Sequence, residues 1–224
     1  MRARALKLSG IAAAVAIAGV AIGFYITGFL MSGPAAIHPP VNVSATTKNV
    51  DLTIQTVAAV GPQLSPHPDW VSYLIRSNGR WVRSTIWTIP AHATVHVTVL
   101  QYDGQSGLRN PFMARVRGTV GNTMAVNGKT LRVIKPDAAS HTFAIPQLHL
   151  IVPLEGVADA AKNQCGFAPC SPSNAHNTIT FTFNAPGKGR YRWQCFVPCA
   201  AGWIYGVGGP MQTIGYMDGF LNVV

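Results

Sequence analysis

The sequence predicts an all-β, antiparallel sandwich carried behind one N-terminal transmembrane helix. Three observations predict it: a charge-free apolar run near the amino end, period-two apolar alternation through most of the remainder, and Gly, Asn and Pro pairs punctuating the alternating runs. The 224 residues leave room for one domain and a short appendage, and 48% hydrophobic against 11% charged residues excludes a disordered polymer. Four Cys are too few for a disulfide framework, and they lack the paired Cys-x-x-Cys units of a zinc array. No internal repeat is visible.

In chain order, residues 1–7 form a basic end containing Arg2, Arg4 and Lys7. Residues 8–31 carry no charge, and as a helix rising about 1.5 Å per residue they would extend roughly 36 Å, more than a bilayer's hydrocarbon core. The preceding basic residues would keep the amino end cytoplasmic, which places the rest of the chain outside a cell membrane as the ectodomain of a single-pass protein. A cleaved signal peptide is the rival reading, but its apolar region is shorter. Gly19 and Gly23 form one G-x-x-x-G step for packing against another helix. Residues 32–49, rich in Pro, Ser and Thr, read as an extended tether, and 50–224 as the outer domain. Of the basic residues, 14 lie beyond the apolar run against 7 acidic ones, a net +7. They are scattered, with Arg115 and Arg117 on one strand and Lys188, Arg190 and Arg192 in a hairpin. That pattern describes a positive outer surface rather than a nucleic-acid stripe.

Alternation marks strands at Asp51–Val57, Trp81–Ile89, Thr94–Leu100 and Thr178–Phe183, where β-branched residues suit a half-buried pleat. Asn127-Gly128, between Thr123–Val126 and Thr130–Ile134, is a two-residue hairpin turn whose central residues both need positive φ. Val157–Lys162 is the only stretch outside the anchor with one or two turns of helical character. At the carboxyl end, Tyr191, Trp193 and Cys195 share a strand face, Cys199 follows in a loop, and a last strand runs from Gly215 through Met217 to Val224. Two thiols and a thioether thus converge on one rim.

These segments, Ser140-His141-Thr142-Phe143, Tyr191 to Cys199 and Met217-Asp-Gly219, resemble the cupredoxins, most closely the extracytoplasmic copper A domain of cytochrome c oxidase subunit II. The resemblance spans roughly 135–224. It implies a cupredoxin-like Greek-key β-sandwich that binds copper for electron transfer, a non-catalytic or accessory subunit of an oxidoreductase. His141 would be the first imidazole, Cys195 and Cys199 the thiolates, Val197 the carbonyl donor and Met217 the thioether. Its partners would be a membrane-embedded oxidase subunit and a small electron carrier; a carrier meeting a +7 domain would be acidic or neutral. The family's second imidazole is replaced by Trp203, and the stretch from Ala200 to Tyr216 has no His. Met211, His149 and His176 are the additional candidate ligands. With one imidazole lost, sulfur donors tilt such a site toward Cu(I). In an oxidising compartment Cys195 and Cys199 could instead close a disulfide. The rivals are therefore a metal-free structural or interaction module and a Cu(I)-handling protein.

Other residues have plainer readings. Cys165 and Cys170, in Gly- and Pro-rich sequence, suit a local disulfide worth about 2 kcal/mol. His92 and His96 fit a polar strand surface, and Met211 fits loop packing as well as ligation. Trp203 and Tyr205 serve equally as core cover or docking surface. No Ser/His/Asp trio or phosphate loop stands out, and 7 acidic residues leave few candidates for hydrolytic acid–base chemistry.

Overall fold

The computed structural model describes residues 2–27, 41–43, 45–46, 48–57, 70–198 and 209–224. The chain divides into two compact units, Met1–Gly33 and Pro34–Val224.

The first unit holds helix α1, Arg2–Tyr25, which begins before the expected Leu8 because Arg, Ala, Leu and Lys are strong helix formers. Among the described residues, no helix is long and apolar enough to cross a membrane.

The second unit is mostly β, in two sheets. One sheet runs in the order β1 (Val41–Asn42), β6 (Ile86–Ile89), β14 (Asp218–Val223), β13 (Gly189–Gln194), β10 (Ala139–Ile145) and β11 (Leu150–Glu155). The other runs β5 (Arg80–Val82), β4 (Ser72–Ser77), β3 (Asn49–Val57), β7 (Thr94–Gln101), β12 (Asn177–Asn184), β8 (Met124–Val126) and β9 (Lys129–Leu131), with β2 (Ala45–Thr46) on β3. Alternation decides which faces meet. Ile179, Phe181 and Phe183 of β12 turn inward against Val95, Val97 and Val99 of β7, and all six are buried. Between the sheets, Trp87 stacks on Trp193 with centroids 4.6 Å apart, and Tyr73 meets Trp193 edge-on at 4.9 Å. The Asn127-Gly128 turn has both φ values positive, 48° and 82°, as the hairpin requires.

Four expectations are corrected. The sheets are not purely antiparallel: β3 pairs with β7, and β14 and β1 pair with β6, in parallel register. The single strand expected over Trp81–Ile89 is two, β5 and β6, in different sheets. Ser84 and Thr85 carry the crossover, buried, with the Thr85 carbonyl accepting from the Phe220 amide and the Trp193 indole. The tether is not free to 49, since β1 and β2 already pair with the sheets. No helix forms over Val157–Lys162; Val157 bridges Gly104 instead, and a Cβ on Gly156 would come within 2.5 Å of the Gly104 carbonyl.

Candidate metal centre

Two neighbouring strands build the centre. β10 carries His141, and β13 leads directly into Cys195; the strands pair through Ala144 and Gln194. His141 and Phe143 lie on one face of β10, and Trp193 and Cys195 on one face of the β13 run, so both candidate ligands sit at the end of the aromatic core. His141 is 2% exposed, and Cys195 and Val197 are fully buried.

The His141 ring is fixed from both sides. Its Nε2 lies 2.8 Å from Asp103 Oδ2, and its Nδ1 lies 3.8 Å from Cys195 Sγ. Asp103 follows the end of β7 and is itself anchored: its Oδ1 accepts from the Gly104 amide at 3.0 Å, and its carbonyl accepts from the Val157 amide. A carboxylate on Nε2 fixes the orientation of the ring and turns Nδ1 toward the sulfur. The sulfur is oriented too. The Thr142 amide points at Sγ from 3.4 Å, the thiol donates to the Val197 carbonyl at 3.4 Å, and the Cys195 amide donates to the Met217 carbonyl at 2.9 Å. Thr142 also accepts from the Phe196 amide through Oγ1 at 2.8 Å, holding the start of the loop.

Electrostatics favour charge in this buried pair. Burial draws the His141 pKa down, but the hydrogen bonds and charges of Asp103 and Cys195 outweigh it and raise the pKa to about 9. For Asp103, burial pushes upward, but the hydrogen bond and charge of His141 together with the Gly104 amide outweigh it, so the carboxyl titrates below its usual range.

The donor set fits a soft transition metal. Bonds of about 2.0 Å to nitrogen and 2.3 Å to sulfur, at tetrahedral to trigonal angles, separate the two donor atoms by roughly 3.5–3.7 Å. The 3.8 Å between Nδ1 and Sγ is close to that span. Among the described residues no three His, Cys, Asp or Glu side chains are placed to hold a metal ion together, and Cys199, with Trp203 and Tyr205, lies outside them.

The other candidates are dispersed. Met217 is buried beside Cys195 through its backbone, whereas Met211 is half-buried against the main core in a single turn at Gly209–Gln212. His149 occupies the left-handed position closing the turn between β10 and β11, and lines a different cleft. His176 Nδ1 contacts the Asn174 carbonyl at 2.8 Å, with its ring 5.0 Å from Tyr102. Cys165 and Cys170 form a disulfide with Cα atoms 5.7 Å apart. His96 sits exposed on β7 beside Thr182, and His92 in a left-handed turn. Asp103 is the residue that sequence reasoning missed. Its only sequence signal is an acidic side chain closing an alternating run.

No protein-family model matches the chain, and no curated protein matches it. Among solved structures it is similar to rusticyanin from Thiobacillus ferrooxidans, 18% identical over 89% of this chain and 92% of that one, with a TM-score of 0.32. A rusticyanin variant is likewise 18% identical over 82% of each chain, with a TM-score of 0.33. Superposition this loose transfers no residue roles.

Proposed function

We propose that the chain is a cupredoxin-type copper protein serving electron transfer, held at a membrane by its N-terminal helix and related to oxidase subunit II. The observation that supports it is the His141–Cys195 pair, a buried imidazole and thiol 3.8 Å apart with the imidazole's far nitrogen held by a carboxylate. His141 Nδ1 and Cys195 Sγ would hold the metal, with Met217, Cys199 and the Val197 carbonyl as the remaining donors. Copper there would supply a one-electron couple. The chain's own groups do the rest: Asp103 fixes the ring, the Thr142 amide faces the sulfur, and the aromatic core keeps the pair dry and unmoving, which lowers reorganisation on electron gain or loss. One imidazole against sulfur donors favours the reduced metal. Around α1, Ile11, Val15, Ile17, Val20 and Phe24 are all more than half exposed, an all-round apolar surface that supports the membrane reading. A basic outer surface fits an acidic or neutral carrier as electron donor, with a membrane-embedded subunit as the other partner.

The test is metal loading under anaerobic conditions. The full chain should take up copper and develop thiolate-to-copper absorption that disappears in Cys195→Ser and weakens in His141→Ala. Full oxidation of all four Cys with no copper uptake overturns the proposal.

A further inference from the structure

Two cavities are lined by none of the residues that the proposed function assigns to the metal. The first, about 460 Å³, is walled by Phe112, Met113, Pro146, Ile151 and Phe196, with Arg117 and His149 as its polar members. That volume is within the range of small-ligand sites, roughly 300–1,000 Å³. The second, about 310 Å³, gathers Arg115, Arg117, Arg132 and Asn122. Arg117 belongs to both.

The walls are built in. Arg117 and Ile151 exchange both backbone hydrogen bonds, at 2.8 and 3.0 Å, pinning the segment at 112–117 to the start of β11. Gly118 has φ +74°, and a Cβ there would sit 2.7 Å from the His149 carbonyl, so the backbones meet as closely as they can. Arg117 is preset. It donates to the Phe112 carbonyl at 2.9 Å and lies 4.1 Å over the Phe112 ring. The Arg132 carbonyl accepts from the Val116 amide, and Arg132 joins Arg115 and Arg117 in lining the second cavity.

Arg115, Arg117 and Arg132 line one cavity, and among the described residues the ion pairs found, His141–Asp103 and Arg192–Asp218, involve none of the three. Among the described residues no carboxylate pairs with them. Three like charges lining one cavity, with an apolar cleft that shares one of them, favour a ligand that brings the anion. We propose that the two cavities form one site for a small amphiphilic carboxylate, its ring or branched apolar body in the cleft and its carboxylate on Arg117, Arg115 and Arg132. Concavity and volume favour a small molecule over a protein face. A fixed Arg117 lowers the ordering cost of binding.

The experiment uses the full chain in phosphatidylcholine nanodiscs, without metal, titrated calorimetrically with 2-naphthoate and with its uncharged counterpart 2-naphthamide, heats from empty nanodiscs being subtracted. We expect one saturable site for the acid and at least tenfold weaker binding of the amide. Arg117→Gln should abolish that preference, and the exposed changes Arg115→Gln and Arg132→Gln should each weaken the acid severalfold while leaving the amide unchanged. Equal affinity for acid and amide, or undiminished naphthoate binding in all three variants, overturns the site. Because Cys195→Ser must give the same titration, failure of copper binding and failure of this site are separately visible.

Discussion

Raising the pH from 6 to 9.5 should destabilise the metal-free β unit by about 3 kcal/mol, through one residue. His141 has its pKa raised to about 9 in the folded chain, against about 6.5 when unfolded. A raised folded pKa means that the folded state binds the proton more tightly. The resulting stability is fully present below pH 6.5, declines as the pH rises toward 9, and is absent above it. The gap of about 2.5 pH units at 1.36 kcal/mol each gives the magnitude. Asp103 and Cys195 are the titratable groups facing the ring; Asp103, with its pKa lowered, stays ionised across this window. The assay is urea unfolding with chelator and reductant, followed by tryptophan fluorescence. All five Trp lie beyond residue 69, so the signal reports the β unit alone. Asp103→Asn and Cys195→Ser should each weaken the dependence, since both groups raise the His141 pKa. Equal stability at pH 6 and 9.5 in the native chain, or an unchanged slope in Asp103→Asn, would refute the pairing.

Three further outcomes are expected. Asp103→Asn should weaken copper binding by about 10- to 100-fold in competition titrations, since a carboxylate behind a ligating imidazole sets its tautomer and orientation. Gly219→Ala should cost more than about 3 kcal/mol in denaturant unfolding, because a Cβ there would overlap the Thr85 carbonyl that accepts from Phe220 and Trp193. Arg192→Ala should cost about 3 kcal/mol at neutral pH, because it strands the Asp218 carboxylate, whose side chain is 1% exposed and whose pKa burial already raises despite Arg192. That loss should shrink on acidification, as Asp218 takes up a proton; a pH-independent loss would count against it.

What could be read in the chain followed the period of its side chains. β3, β7 and β12 alternate clearly, and the Asn127-Gly128 turn has the residues that positive φ demands, so these were legible. β4 and β10 were not. Every residue of β10 is buried, including Ser140, His141 and Thr142, so a central strand covered on both faces leaves no alternation to detect. The Trp81–Ile89 run kept its period while changing sheets, because the crossover at Ser84 and Thr85 is paid for by long-range hydrogen bonds to Thr85 from Trp193, Gly215 and Phe220 that no local pattern encodes. The site was legible as far as its sulfur and imidazole residue types. Asp103 was hidden, because its partner lies 38 positions away and only the fold brings them together.

The separation of His141 and Cys195 is a property of the sheet rather than of the loop that follows. Hydrogen-bonded strands lie about 4.8 Å apart, and the Ala144–Gln194 pairing sets the register within it, so the two donors face each other before any metal arrives. The amide of Thr142 on the sulfur and the carboxylate of Asp103 on the ring fix the remaining rotations. In the proposed copper reading the first two donors stay where the strands put them, and the further donors named above, Met217, Cys199 and the Val197 carbonyl, would set the preference between Cu(I) and Cu(II). Under that reading a substitution at Cys199 would alter the redox preference while leaving the buried aromatic stack and the strand pairing in place.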